Sequence, residues 1–475
     1  MERLTRRGGA EVMARWLTVV GAALLLAACR DQSTETTPTT FPVIDGAAVA
    51  ANPNNVISAV VTARVRFADS VAVQYGPVPA LDSITPAVVP AGEAAVIPVL
   101  GLLPGTSYLM RVVVYGEGAA VPGVPLGFVT DTLPGDLPRY TAGGSGPAPG
   151  LVAFAAGRYG LVIDNTGRVV WYRLYHDGPG LNFEAEPTGR YVARPTTPDP
   201  TDLDLWVEVD PLGNVTRTFG CGRGLEPRFH DLIEELDGGY WIMCDETRTM
   251  DLTAVGGVAT AKVMGTVIQH VSATGDVLFE WSPFDHFAIT DRELAARTGA
   301  SVNWTHGNSI DLDTDGNLIA SFRSLSELTK IDTRTGDVLW RMGGLRDQFD
   351  FLGAPGPGFA RQHGLRVTGP GQLILLDNQG DPAASRAERY VVDTVQHTAT
   401  LVASYGSTPA VSVPLGGSTQ ALPGGHVLVS FGPTGRVQEY DSTGQVVWQI
   451  DGNAGYVFRA QRILSLYHPG VGSPR

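Results

Sequence analysis

The chain has 475 residues, enough for more than one domain. Its charged fraction is only 17%, while 58 Gly and 33 Pro favour many short strands joined by turns over long helices. A formal charge of -14 speaks against nucleic acid or an anionic lipid surface as the main partner, so any anionic substrate must be met by locally placed cations.

In chain order, Arg3, Arg6, Arg7 and Arg15 precede an apolar run over residues 16–28 that is too short to span a bilayer comfortably. Residues 1–29 read as a signal peptide, with Met13 an equally serviceable start. The run closes in Leu26-Ala27-Ala28-Cys29, a lipoprotein pattern in which Cys29 becomes the acylated first residue of the mature protein. Residues 30–40, rich in Ser, Thr and Pro, form a polar tether. The expectation is a cell-envelope protein, periplasmic or outer-membrane-associated, that meets the membrane through its lipid anchor alone.

Residues 41–136 carry alternating, Val-rich strands at 56–65, 70–75 and 94–99, broken by Pro and Gly. They predict a small β-sandwich of fibronectin III/Ig-like type. The segment from Gly101 to Val112 resembles the turn and strand of fibronectin type III domains, in which a tyrosine, here Tyr108, packs at the sandwich corner. A Pro- and Gly-rich stretch follows.

Residues 137–475 are periodic. A β-rich run, an Asp or Thr, a Gly and a second β-rich run recur at 160–172, 205–219, 267–281, 328–342, 390–402 and 437–450. Each copy reads as a hairpin. A second hairpin precedes the later copies, at 230–243, 306–323, 363–378 and 418–431. Two hairpins make a four-stranded blade, and the count gives an all-β, six-bladed β-propeller. The long stretch between Trp281 and Trp304 is where an irregular element would hide. Trp171, Trp281, Trp340 and Trp448 end repeats and read as blade-packing residues. After Cys29 only Cys221 and Cys244 remain, and an oxidising envelope would permit a disulfide between them.

Residues at the start of the innermost strand of each blade converge on the central channel. Three such positions are His230, His306 and His363, each about eight to ten residues before the glycine of its hairpin turn. Arg323 ends the second strand of the His306 hairpin, so a tight turn returns it to His306. Three imidazoles suit a metal centre of a hydrolase or lyase. They equally suit nucleophilic catalysis on an anionic group, one neutral imidazole attacking while cations hold the oxygens. Arg323 favours the second, because an obligate cation is repelled by a divalent metal but matches a sulfuryl or phosphoryl group. No metal or other cofactor is called for. The run from Asp311 to Gly316 imitates the start of a calcium loop, but its twelfth position is Phe322 rather than Glu and the repeat places Asp315-Gly316 in a hairpin turn. A non-catalytic binding propeller keeps the same fold and stays open as a third reading.

The short motifs His230-Asp231-Leu232, His306-Gly307-Asn308-Ser309-Ile310, Ser321-Phe322-Arg323, Arg361-Gln362-His363, Leu376-Asp377-Asn378 and Ser385-Arg386-Ala387 together resemble the bacterial arylsulfotransferase family. The resemblance implies a β-sandwich joined to a six-bladed propeller. It also implies transfer of a sulfuryl group from a small aromatic sulfate donor to a phenolic acceptor, in ping-pong fashion and without the nucleotide sulfate donor. By match to the motifs, His363 would be the nucleophile, His230, His306 and Arg323 would bind the sulfuryl oxygens and manage protons, and Asn308 would assist in substrate binding. Some members dimerise, so a homodimer is a further expectation. The cysteine pair that some members carry before the nucleophile is missing, and residues 345–359 read instead as a mobile loop over the channel.

Overall fold

The computed structural model describes residues 41–195, 205–356, 358–380, 384–451 and 455–475. The expected signal peptide, Cys29 and the tether lie outside the described residues. A single turn chemistry builds the repeat. Asp164 Oδ1 accepts the backbone N–H groups of Thr166 (2.9 Å) and Arg168 (3.2 Å), while Gly167 closes the turn at φ 88°. Asp210 with Gly213 and Asp441 with Gly444 repeat the arrangement. A left-handed glycine after the turn leaves one bulged residue, which appears as a register shift in each of these hairpins.

Almost all regular structure is β. Among the described residues six sheets of at least four strands follow one another from residue 141 onward, antiparallel except for an added parallel strand in the third and the fifth. Their first strands in sheet order are Ala460–Ile463, Phe183–Glu186, Glu226–Glu234, Gly307–Leu312, His363–Gly369 and Ser418–Ala421. The first sheet is completed from the far end of the chain, where Ala460–Ile463 pairs with Leu151–Ala156. The sixth is extended from the near end, where Thr141–Gly144 pairs with Val446–Asp451. The two ends of the series are therefore tied together by backbone hydrogen bonds. Neighbouring first strands pack against one another, and the second sheet is bridged to the third by Glu186, which accepts from the Glu234 N–H, and by Asn182, which donates to the His230 carbonyl.

Aromatic residues fill the spaces between sheets, as the repeat pattern anticipates. Trp171 of the first sheet stacks on Tyr191 of the second at 4.6 Å, and Trp281 of the third meets Phe322 of the fourth at 5.7 Å. Trp340 and Trp448 are buried in the equivalent clusters. Cys221 and Cys244 form a disulfide with a Cα–Cα distance of 6.2 Å, linking the segment after the second sheet to the third.

The stretch between Trp281 and Trp304 holds the irregular element expected there and forms no further sheet. It holds the short helix Pro283–His286, two 3-10 turns and the strand Ser301–Asn303, which pairs in parallel with Ala261–Val271. One expectation needs correction: the described residues of the segment 345–359 do not form a free loop. Asp350–Leu352 adds a parallel strand to Thr398–Gly406, and the side chains of Phe349 and Phe359 are buried. Apolar anchors at both ends of the segment outweigh its glycines and prolines.

Ahead of the six sheets, Val43–Ala51, Ala59–Arg66 and Ala94–Val99 form one sheet, and Ser70–Pro77 and Ser107–Gly116 centre a second. Alternation along Ala59–Arg66 turns Val61 and Val65 inward, against Val71, Val73, Met110 and Val112. Tyr108 closes the corner by accepting the Leu103 N–H at 2.8 Å. The contacts to the first large sheet include the Tyr172 hydroxyl, which accepts the Val56 N–H at 3.1 Å. Tyr108→Phe leaves the Leu103 N–H without this acceptor and is expected to cost about 1–3 kcal/mol, measured by urea denaturation; an unchanged midpoint would remove the corner from the account of stability.

Candidate active site

The first strands bring His230, His306 and His363 together, as their register anticipates. The His230 and His306 rings meet edge to face at 5.0 Å. The buried Phe458 ring contacts both His230 (5.7 Å) and His363 (6.2 Å). Arg323 returns beside His306, its backbone N–H donating to the His306 carbonyl at 3.0 Å. His306 itself takes φ 50° and Arg361 takes φ 56°. Left-handed backbone at two non-glycine residues flanking one site is strain that the surrounding structure must impose.

Hydrogen-bond partners assign each imidazole its tautomer. His363 Nδ1 faces two acceptors, Asn378 Oδ1 at 2.8 Å and the Arg361 carbonyl at 3.1 Å, so Nδ1 carries the proton. The lone pair is then on Nε2, where the Gly416 N–H donates at 3.2 Å. Asn378 cannot turn its amide around, because its Nδ2 donates to the Val413 and Gly416 carbonyls. His230 is the opposite case. Arg228 Nε donates to its Nδ1 at 3.0 Å, which leaves Nε2–H as the free edge. Asn303 Nδ2 stands 2.7 Å from His306 Nδ1 and gives that ring the same sense.

Burial and neighbouring cations keep all three rings neutral. The His363 pKa is lowered to about 4, chiefly by burial, with Arg323 adding to it and the Asn378 hydrogen bond opposing. His306 is lowered to about 2 by burial and then by Arg228 and Arg323. His230 lies well below its ordinary value for the same reasons, burial first and Arg228 next. The result is one imidazole offering a lone pair, two offering N–H donors, and a guanidinium alongside. Among the described residues no group of three His, Cys, Asp or Glu side chains is arranged to hold a metal ion.

Asn308 is buried at the same place, but its Nδ2 donates to the Gln362 carbonyl at 2.6 Å and its Oδ1 accepts from Ser309. It ties the His306 strand to the residue before His363. The sequence reading assigned no role to Arg228, Asn303, Asn378, Phe458 or Arg459. One signal was available. Asn378 ends the hairpin that begins at His363, just as Arg323 ends the hairpin that begins at His306. Arg228 is shared with the carboxylate of Asp245 and the Gly307 carbonyl, partners that no local pattern reveals. Asn378→Asp would set an anion against the Nδ1 proton and is expected to raise the His363 pKa from about 4 towards or beyond its ordinary 6.5. Imidazole nitrogen NMR titration checks it; an unmoved pKa would mean that Asn378 does not govern this ring.

Residues 228–453 match the family model described as Arylsulfotransferase (ASST). No curated protein matches the chain. Among solved structures, a protein of unknown function from Bacteroides caccae is 13% identical over 66% of this chain and 98% of its own, with a TM-score of 0.42. An auxiliary nutrient binding protein from Bacteroides ovatus is 12% identical over 87% of this chain and 88% of its own, with a TM-score of 0.36. A virginiamycin B lyase from Staphylococcus aureus is 11% identical over 74% and 94%, with a TM-score of 0.33. The matched region holds His230, His306, Arg323 and His363, and it is this part of the chain that is similar to the arylsulfotransferase family.

Proposed function

We propose that the chain is an aryl-sulfate sulfotransferase that works through a sulfated His363. The six sheets are then the blades of a six-bladed propeller, the two sheets before it a β-sandwich, and Cys29 a lipid anchor in the cell envelope. One observation carries the reading. Three neutral imidazoles lie around one point with complementary tautomers, a lone pair on His363 Nε2 and N–H edges on His230 and His306, with Arg323 beside them.

Each element then has a task. His363 Nε2 gives up the Gly416 N–H it accepts and attacks sulfur, the S–N bond forms, and the S–O bond to the aromatic ring breaks. The leaving phenolate is a tolerable base, since phenols ionise near pH ~10, and it takes up one proton. The ring keeps its Nδ1 proton and becomes a sulfoimidazolium, whose positive charge faces Asn378 Oδ1 and the Arg361 carbonyl. Arg323 and the two N–H edges meet the sulfuryl oxygens as charge moves onto them. In the second half the acceptor phenol attacks sulfur, the S–N bond breaks and the acceptor gives up one proton. The two half-reactions balance, and free His363 returns. A burial-depressed pKa keeps the nucleophile unprotonated well below neutrality.

The purified protein is expected to release nitrophenolate from 4-nitrophenyl sulfate when phenol is supplied, and His363→Ala to abolish release. Intact-mass analysis with donor alone should find a sulfuryl group on the peptide containing His363. Activity that survives His363→Ala and vanishes with a chelator would replace this mechanism with a metal-dependent one. The pH dependence gives a separate check. Because the folded pKa of His363 is about 4, kcat/KM for the donor should hold through pH 6.5 and fall only towards pH 4. The same lowered values withdraw stability as pH falls below 6.5, since the unfolded chain binds protons that the folded one refuses. Circular dichroism at each pH separates the two effects, and an acid limb at 6.5 with the fold intact would count against a buried nucleophile.

A further inference from the structure

We infer that Ser385 is a positioning residue for the transfer: its hydroxyl fixes the direction of the Asn378 amide and so holds the His363 proton on Nδ1. The inference rests on the sulfuryl-transfer reading for which nitrogen must attack.

Neutral histidine in water favours a proton on Nε2, the wrong place for a nucleophile that attacks through Nε2. The partners of the ring have to reverse that preference. Asn378 Oδ1, 2.8 Å from Nδ1, is the nearer of two acceptors, the Arg361 carbonyl at 3.1 Å being the other. An amide fits either way round. Turned over, Asn378 would offer N–H to Nδ1 and send the proton to Nε2. What sets its direction is the surroundings of Nδ2, which donates to the carbonyls of Val413 at 3.0 Å and Gly416 at 2.9 Å. A reversed amide would set its oxygen against both.

Those carbonyls lie on residues 411–416, a connection between the strands Thr398–Gly406 and Ser418–Ala421 that has no regular structure of its own. No strand ladder holds it against Asn378. Ser385 does. Its Oγ donates to the Asn378 carbonyl at 2.8 Å and accepts the Val413 N–H at 2.7 Å, while its own N–H donates to the Val411 carbonyl at 2.8 Å. One hydroxyl therefore ties the main chain of Asn378 to the segment that orients the Asn378 side chain. Ser385 and Val413 are each 1% exposed, so solvent is kept from replacing the hydroxyl, and its removal leaves a buried N–H unpaired. The demand on Asn378 grows during the reaction. A sulfated ring is cationic, which strengthens the bond from Nδ1–H to Oδ1. The effect of Ser385 therefore falls on the rate of transfer rather than on donor binding.

Nitrogen NMR of histidine-labelled protein tests the role without any need for turnover, His363 being assigned by the signals lost in His363→Ala. In the wild type Nδ1 should read as the protonated nitrogen and Nε2 as the bare one. In Ser385→Ala the two signals should draw together as the tautomers mix, and in Ser385→Thr, which keeps the hydroxyl, they should return to their wild-type places. Single-turnover nitrophenolate release at saturating donor should fall roughly tenfold in Ser385→Ala with the half-saturating concentration unchanged, since only the productive tautomer reacts. Circular dichroism checks each fold. Ser385→Cys, similar in size but a poor hydrogen-bond partner, takes the place of the alanine variant if that protein does not fold. His363 nitrogens that keep their wild-type signals in the folded variant overturn the positioning role, as does a loss in Ser385→Thr equal to that in Ser385→Ala. A tautomer that depends on Ser385 in a protein that transfers no sulfuryl group would sink the transferase reading and leave the positioning role standing. An active wild type whose tautomer ignores Ser385 would do the reverse.

Discussion

Asp231 is the fixed point around which the centre of the molecule is arranged. It is fully buried on the same strand as His230, and its two oxygens reach Arg366 at 3.0 Å, Arg459 at 2.8 Å and Arg475 at 3.1 Å. It also accepts the Ile310 N–H at 3.0 Å, which ties it to the His306 strand. Burial alone would push its pKa up, but the three arginines outweigh burial and hold it well below the carboxylate range. Glu184 shares Arg366 and Arg459 from the second sheet. One carboxylate thus links strands from the first, third, fourth and fifth sheets, and its partners draw in the second. A buried ionic network is weak evidence of net stability, yet removal of a single partner typically costs about 3–5 kcal/mol. Its effect here is positional: first strands that share charges cannot slide past one another, and the histidines at their ends inherit that register.

The same network explains how an acidic protein keeps a cationic site. The inner carboxylates of Asp231 and Glu184 are matched by Arg366, Arg459 and Arg475, so little negative field is left to reach the histidines. Arg459 serves both regions, reaching the His230 carbonyl at 3.4 Å and helping to keep His363 neutral. Arg323 has no such carboxylate partner among the described residues. What an approaching anion meets at the centre is governed by a few arginines whose effect is strengthened by exclusion of water.

How far this was legible in the sequence follows from the distance over which each feature is encoded. The hairpins were readable because Asp164 and Gly167, or Asp441 and Gly444, make their turns within a few residues. The gathering of His230, His306 and His363 was readable from their common place in the repeat, and the return of Arg323 from hairpin geometry. Asn378 obeys the same geometry and was passed over because an amide carries no obvious chemistry until its partner is seen. Arg228 and Arg459 depend on carboxylates and carbonyls far away in sequence. The segment 345–359 was misread because composition speaks for mobility, while the burial of Phe349 and Phe359 depends on a sheet contributed by residues about 50 positions later.

The donor that occupies the His363 lone pair belongs to the main chain of Gly416. That residue lies at φ 70°, and a Cβ there would collide with the Tyr456 hydroxyl, so it has little tolerance for replacement. Side-chain scanning will therefore map one edge of the imidazole and remain blind to the other. Asn378 will register as a partner of His363, while the contact at the reactive nitrogen will stay silent in any library of truncations. Amide-to-ester backbone substitution, rather than mutagenesis, is the perturbation to which that half of the site responds.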